Sequence, residues 1–271
     1  MRRHDGELLQ ALQQGRSLKI RILGCGTSFG VPRIGPDWGE CDPTEPRNRR
    51  LRSSILVQSA GKRLLVDCGP DLREQLLAAE IGEIDHLIVT HDHADHCHGL
   101  DELRPIAQRL GRPIPLHART DVIARLKERF GYAFSGATFY APLVDPAPLD
   151  VELRLGKAQI RFVDQPHGKI TSLGLRLDEG KTFLVYAIDF NTMSEDMANL
   201  YQGADVLICD CLQRQPHPTH AHLDAVLGWA RELGVGQLYL THMNNSMDYR
   251  ILLNELPDWA APAHDGLEIE L

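Results

Sequence analysis

Runs of Ile, Leu and Val recur along the chain, closed by Gly or by a charged residue, which is the pattern of largely buried β-strands. They lie at 18–26 (LKIRILGCG), 53–58, 62–69, 85–91 and 114–118, and again at 151–155, 158–165, 172–177, 181–189, 204–210, 236–242 and 267–271. Helical spacing appears between them. Leu72, Leu76 and Leu77 share a face in 71–80, and Leu100, Leu103, Ile106 and Leu110 do so in 100–110, where Pro105 predicts a kink. A Thr120–Asp121 start predicts a helix over 120–130, and Gly234 closes one over 222–234. The Pro-rich stretch 140–150 reads as a bend within one fold. Residues 1–17 read as an N-terminal arm and 18–271 as a single domain. Strands alternating with helices, and buried on both sides, predict an α/β architecture: two mixed β-sheets packed face to face with helices outside.

Composition narrows the function classes. At 43% hydrophobic and 24% charged, the 271 residues have the make-up of an ordinary globular protein. The net charge of −8 argues against a general grip on nucleic acid. No apolar run approaches membrane-spanning length, and the first residues lack the apolar centre of a signal peptide. Six scattered cysteines (25, 41, 68, 97, 209 and 211) are no disulfide framework, so the expected compartment is the cytoplasm.

The chemistry concentrates in THDHADHCHG (90–99), which directly follows an apolar run. His91 and His93 are two apart at a strand exit and point the same way, whereas Asp95 and His96 come as the chain turns. Imidazole and carboxylate suit zinc, manganese or iron, but this segment alone closes no dinuclear site. His167, Asp189 and His242 each stand at the end of a strand, and Asp189 has two oxygens with which to bridge cations. His86 and His117 read as structural, Cys97 and His98 lie outside the pattern, and Cys209-Asp-Cys211 reads as core.

These residues resemble the ligand set of the metallo-β-lactamase superfamily, His-x-His-x-Asp-His followed by a distant His, Asp and His. The resemblance implies an αββα sandwich and two divalent ions, zinc or manganese. His91, His93 and His167 would hold one, Asp95, His96 and His242 the other, with Asp189 bridging, while Asp67 would orient a ligand. The segments LGCGTSFGVPRIG, RNRRLRSSILV, VDCGPDLREQLL, THDHADHCHGLDELRPI, YAIDFNT, LYLTHM and HDGLEIEL are similar to those of the PhnP-like cyclic phosphodiesterases, collinearly over about 18–271. That branch opens small cyclic phosphates of the 5-phosphoribosyl 1,2-cyclic or nucleoside 2′,3′-cyclic type, by hydroxide attack on phosphorus.

The resemblance implies His220 and Asp95 as catalytic residues, with His220 protonating the leaving oxygen and His217 and His222 as rivals for that role. Arg50, Arg52 and Ser28 are expected to bind the substrate phosphate. In one respect the chain departs from the branch. The loop after GVPRIG carries only Cys41, and Asn245 stands where a histidine is expected, so no separate structural zinc is expected and Trp38 is expected to help tie the loop. The expected partner is a small phosphate ester, with no membrane and no extended nucleic acid; a homodimer is left open. The competing functions are a tRNase Z-like ribonuclease, a glyoxalase-type thioesterase and a non-enzymatic metal-binding regulatory protein.

Overall fold

Alternation in the first strands fixes which surfaces are covered. In β1 (Lys19–Gly24), Ile20 and Ile22 join one buried cluster and Leu23 another. β2 (Ser54–Ser59) divides Ile55 and Val57 from Leu56 in the same way, and β3 (Lys62–Val66) divides Leu64 and Val66 from Leu65. A strand apolar on both faces must be covered on both. The computed structural model describes residues 18–136, 138–149 and 152–271, so the arm expected over 1–17 lies outside the described residues.

β4 (His86–Ile88), β5 (Ile114–Ala118) and β6 (Val144–Pro148) extend the first sheet, and the closing strand β14 (Glu268–Glu270) borders β1. The order is β14-β1-β2-β3-β4-β5-β6. The second sheet comprises β7 (Glu152–Leu155), β8 (Ala158–His167), β9 (Ile170–Glu179), β10 (Thr182–Ala187), β11 (Val206–Asp210), β12 (Gln237–Thr241) and β13 (Ala260–Pro262), in the order β13-β12-β11-β10-β9-β8-β7. Each sheet has an antiparallel half and a parallel half.

Ile20, Ile22, Ile55, Val57 and Leu64 share one cluster with Ile160, Leu173, Leu175, Leu184 and Tyr186 of the other sheet. Helices cover the remaining faces. α1 (Leu72–Ala78) contributes Leu72 and Leu76, and α4 (Thr120–Ser135) contributes Val122, Ile123 and Leu126, to the cluster that holds Leu56 and Leu65. α5 (Glu195–Tyr201) and α6 (Leu223–Glu232) place Met197, Tyr201, Val226 and Ala230 in the larger one. α2 (Ala94–Cys97), α3 (Arg104–Leu110) and α7 (Tyr249–Glu255) complete the helices of the described residues. None of the helices searched is long and apolar enough to cross a membrane.

Three local expectations change. Residues 140–150 are more than a bend, because they contain β6, and β13 was also unforeseen. Both strands carry proline, and both are the outermost of their sheet, where a missing N–H leaves no ladder bond unmade. The expected kink at Pro105 is instead a helix start: Leu100–Leu103 forms a 3₁₀ turn and Pro105 lies in the first turn of α3, where its absent N–H has no helical role.

The 38–50 loop is held mainly by polar contacts. The Arg49 guanidinium lies over the Trp38 ring at 5.3 Å. Asp248 accepts from the Asp42 N–H (2.9 Å) and from Asn48 Nδ2 (2.7 Å), and the Glu40 N–H donates to the Asn245 carbonyl (2.8 Å). Arg50, 1% exposed, donates to the Asn244 carbonyl (3.1 Å), to Asn48 Oδ1 (3.3 Å) and to the Met247 carbonyl.

Candidate metal centre

Chemistry-bearing residues gather where strands of both sheets end. Asp67 follows β3, His91 follows β4, His167 ends β8, Asp189 follows β10 and His242 follows β12. Asp67, Asp189 and His242 have φ of +64°, +52° and +57°, in the left-handed region that such residues seldom adopt. Strain of this kind persists only where surrounding contacts impose it, and here it turns three polar side chains inward.

Donor atoms converge into overlapping groups. One ligand atom from each of His91, His93, His167 and Asp189 lies within 4.8 Å of the others, and the same holds for Asp95, His96 and His242 and for Asp189, His220 and His242. His93 Nδ1 and His167 Nε2 are 3.3 Å apart, and His91 Nε2 is 3.5 Å from Asp189 Oδ2. On the other side, His96 Nε2 lies 3.3 Å from Asp95 Oδ2 and 3.4 Å from Asp189 Oδ1. Asp189 therefore presents one oxygen to each group.

The rings are fixed from behind. His96 Nδ1 lies 2.7 Å from Asp67 Oδ2, and Asp67 accepts from the Thr90 N–H (2.8 Å) and hydroxyl (2.9 Å). His167 Nδ1 donates to the Thr219 carbonyl (2.9 Å). Ser53 donates its hydroxyl proton to the Gly26 carbonyl (3.0 Å), so the 2.9 Å contact from His242 Nδ1 makes the ring the donor and leaves the Nε2 lone pair free. Asp92, buried inside the His-rich segment, is gripped by Arg125 (2.8 Å) and Arg129 of α4, which ties the loop to a long helix.

Electrostatics suit cations. Burial, joined by neighbouring imidazoles, holds His91 well below its ordinary pKa, and burial lowers His93, His167 and His242 too. Asp95 and Asp189 are depressed: burial opposes their ionisation, but the surrounding imidazoles outweigh it. His96 is the exception, raised by Asp189, Asp95 and Asp67 in spite of its burial. Neutral imidazoles beside ionised carboxylates are the protonation states in which these groups bind metal. His91 Nε2, His96 Nε2 and Asp189 Oδ1 are buried with no hydrogen-bond partner, a cost that divalent cations would remove. The donor set thus fits divalent cations.

A cavity of about 380 Å³ opens onto the ligands, with walls from Ser28, Gly168, Lys169, Ile170, Thr219 and His220. Of the three clustered histidines, His220 faces it. Its ring stacks on His242 (centroids 4.9 Å, interplanar angle 17°), and its Nδ1 lies 2.9 Å from Oδ2 of the fully buried Asp210. Burial disfavours the charged ring, but Asp210 lifts its pKa to about 9. His217 Nδ1 instead accepts from the Thr219 N–H (3.3 Å), and His222 stands at the N-cap position of α6 without a side-chain capping bond.

Among residues 62–243 the chain matches the β-lactamase superfamily domain. It also superposes on the crystal structure of a diphosphatase of the PhnP family with a TM-score of 0.86 and 35% identity, over 94% of this chain and 98% of that one. The chain is a PhnP-family member of the metallo-β-lactamase superfamily.

This PhnP-family protein is a metal-dependent hydrolase of the αββα class. It is also 28% identical over 258 residues to an octanoyltransferase of Porphyromonas gingivalis; the match takes in 93% of this chain but 51% of that protein, so the chain spans about half the length of that relative. A ribonuclease Z of Haloarcula marismortui is 31% identical over 165 residues, which are 60% of this chain and 48% of the relative.

The structure of this PhnP-family chain corrects the phosphate-binding expectations. Arg50 does not face the cavity, because its guanidinium is buried against the carbonyls of Asn244 and Met247. Arg52 pairs with Asp71 at 2.9 Å and donates from Nε to the Ser28 carbonyl (3.2 Å), so it supports the Ser28 loop from outside the cavity wall. Ser28 does line the cavity. Sequence reasoning passed over Asp210, although it closes β11 as Asp189 follows the neighbouring parallel β10, a parallel that could have revealed it. Ser53 and Lys169 carried no comparable signal.

Proposed function

We propose that this PhnP-family hydrolase is a dinuclear-metal phosphodiesterase acting on a small cyclic phosphate ester. The observation that carries the reading is the His220–Asp210 pair, whose imidazole stacks on His242 and lines the same cavity of about 380 Å³ as His93, Asp95, His167 and Asp189. His91, His93 and His167 would hold one ion and Asp95, His96 and His242 the other, with Asp189 between them. When bound, two divalent cations neutralise charge on a phosphoryl group and lower the pKa of water.

The chain's own residues supply the rest. Asp67, Ser53 and the Thr219 carbonyl hold ligand rings in orientation. Asp210 holds the proton on His220 Nδ1, so the opposite nitrogen is the one that delivers a proton to the departing sugar oxygen. That delivery favours an ester over a diphosphate as substrate, since an alkoxide needs a proton on leaving and a phosphate is stable without one. Six free, buried cysteines fit a reducing compartment, in keeping with a cytoplasmic enzyme.

The test is a turnover panel on protein of measured metal content. It comprises a sugar 1,2-cyclic phosphate, nucleoside 2′,3′-cyclic phosphates, a dinucleoside diphosphate, a precursor tRNA and an acyl thioester. Fastest turnover of a cyclic ester is expected. Preference for the diphosphate, the tRNA or the thioester would overturn the reading in favour of that chemistry.

A further inference from the structure

We propose that His220 is itself a metal ligand in the substrate-free protein: its Nε2 joins Asp189 and His242 around one ion, and the substrate phosphate displaces it before the ring serves as proton donor. The proposal deepens the phosphodiesterase reading and rests on it.

The ring is held as the ligand rings are. His96 Nδ1 meets Asp67 Oδ2 at 2.7 Å, His167 Nδ1 the Thr219 carbonyl at 2.9 Å, His242 Nδ1 the Ser53 hydroxyl at 2.9 Å and His91 Nδ1 the Thr90 hydroxyl at 3.1 Å. Each contact engages one nitrogen from behind and leaves Nε2 for a cation. His220 repeats the arrangement, with Nδ1 2.9 Å from Oδ2 of the buried Asp210. One donor atom from each of Asp189, His220 and His242 lies within 4.8 Å of the others, and with Nδ1 engaged by Asp210 the free donor of His220 is Nε2. A carboxylate behind an imidazole makes it a stronger ligand as well as a stronger base.

Position favours coordination as well. The ring stacks on His242 and meets His167 edge-on, both at a centroid distance of 4.9 Å, so it lies between ligands of the two proposed ions. Its backbone is pinned on either side, because the Thr219 carbonyl accepts from His167 and the Ala221 carbonyl accepts from the Leu212 N–H at 3.0 Å. The side chain is 13% exposed and lines the same cavity as Asp95, Asp189 and His242. His217, by contrast, turns Nδ1 to the Thr219 N–H and joins no ligand group among the described residues. Coordination uses the Nε2 lone pair, so a coordinated His220 carries no proton to donate. Once displaced, Nε2 takes up a proton from solvent. The donor is therefore armed only when an ester occupies the site.

The experiment measures ion affinity rather than turnover, by chelator competition on cobalt(II)-loaded wild type, His220→Ala and His220→Gln, the last preserving side-chain size should the alanine variant fold poorly. A protonated His220 that is no ligand repels the ions, so its removal would tighten their binding or leave it unchanged. Loss of a ligand has the opposite sign. The more weakly held ion should lose on the order of 10- to 100-fold in affinity in both variants, and the visible cobalt(II) absorption should change with the loss of one nitrogen donor. Saturating inorganic phosphate should bring the wild-type spectrum to that of the phosphate-treated variants, since the ring has then left the ion. Equal or tighter ion binding in both variants, or spectra that still differ in phosphate, overturns the proposal and leaves the phosphodiesterase reading standing where the wild type hydrolyses a cyclic ester. A wild type that binds two ions but hydrolyses no phosphate ester overturns that reading instead, and with it displacement by substrate.

Discussion

His220 Nδ1 lies 2.9 Å from Asp210 Oδ2, and that carboxylate also accepts the Phe190 N–H at 3.1 Å. Asp210 thus joins the ring facing the cavity to the backbone immediately after Asp189. Removing either member of the pair should slow hydrolysis of esters with poor leaving groups. For His220→Ala and Asp210→Asn the expected loss in kcat is ~10²–10⁴-fold on an alkyl leaving group and far smaller on an aryl one. Equal losses on both classes would show that the pair does not deliver the proton. The double variant should lose little more than either single one, because the two act as a unit.

Metal binding should depend on the shared carboxylate. Asp189→Ala is expected to retain fewer than two ions per chain by elemental analysis. It should also lose most of the rise in Tm that excess zinc or manganese gives the wild type, because ligands that bind only the folded state stabilise it by mass action. Two ions retained in Asp189→Ala would exclude it as the bridge.

Arg50 is expected to matter for stability, contrary to its sequence-based assignment to the substrate. Arg50→Met removes the donors to the Asn244 and Met247 carbonyls inside a buried loop. Urea unfolding should show a loss of about 2–4 kcal/mol. A loss below about 0.5 kcal/mol, in the range of an ordinary surface substitution, would contradict this.

The structural pair His86 and His117 predicts acid sensitivity. His86 Nδ1 and His117 Nε2 are 3.0 Å apart, so one nitrogen must donate and the other accept. Burial, with a smaller contribution from His86, holds His117 at about 4, below its ordinary value of 6.5. Between those values the unfolded chain binds more protons than the folded one. Stability from this group is therefore present above pH 6.5 and lost as pH falls towards 4. His117→Leu should flatten the dependence of Tm on pH across that window in metal-free protein. An unchanged slope would assign the acid sensitivity to other groups.

Much of the fold was legible because apolar periodicity is a local property. Ile20, Ile22, Ile55, Val57, Leu64 and Val66 on one face, with Leu23, Leu56 and Leu65 on the other, already specify a sheet covered on both faces, and every strand expected from the apolar runs has a counterpart. β6 and β13 were hidden because their prolines argue against strands, and only their places at the sheet edges make those prolines harmless.

By itself the sequence determined the ligand types, their order and their positions at strand ends, since a strand's exit direction follows from a few adjacent residues. Which groups meet across the fold was decided by tertiary structure alone. The four arginines of RNRRLRSS look equivalent in sequence, yet packing buries Arg50 under carbonyls and pairs Arg52 with Asp71. Asp210, flanked by two core cysteines, gains its role because β11 ends beside the loop that carries His220. The physical reason is common to both: what a charged group pairs with depends on where packing carries the chain, and only the folded sheets and their loops bring those partners within hydrogen-bonding range.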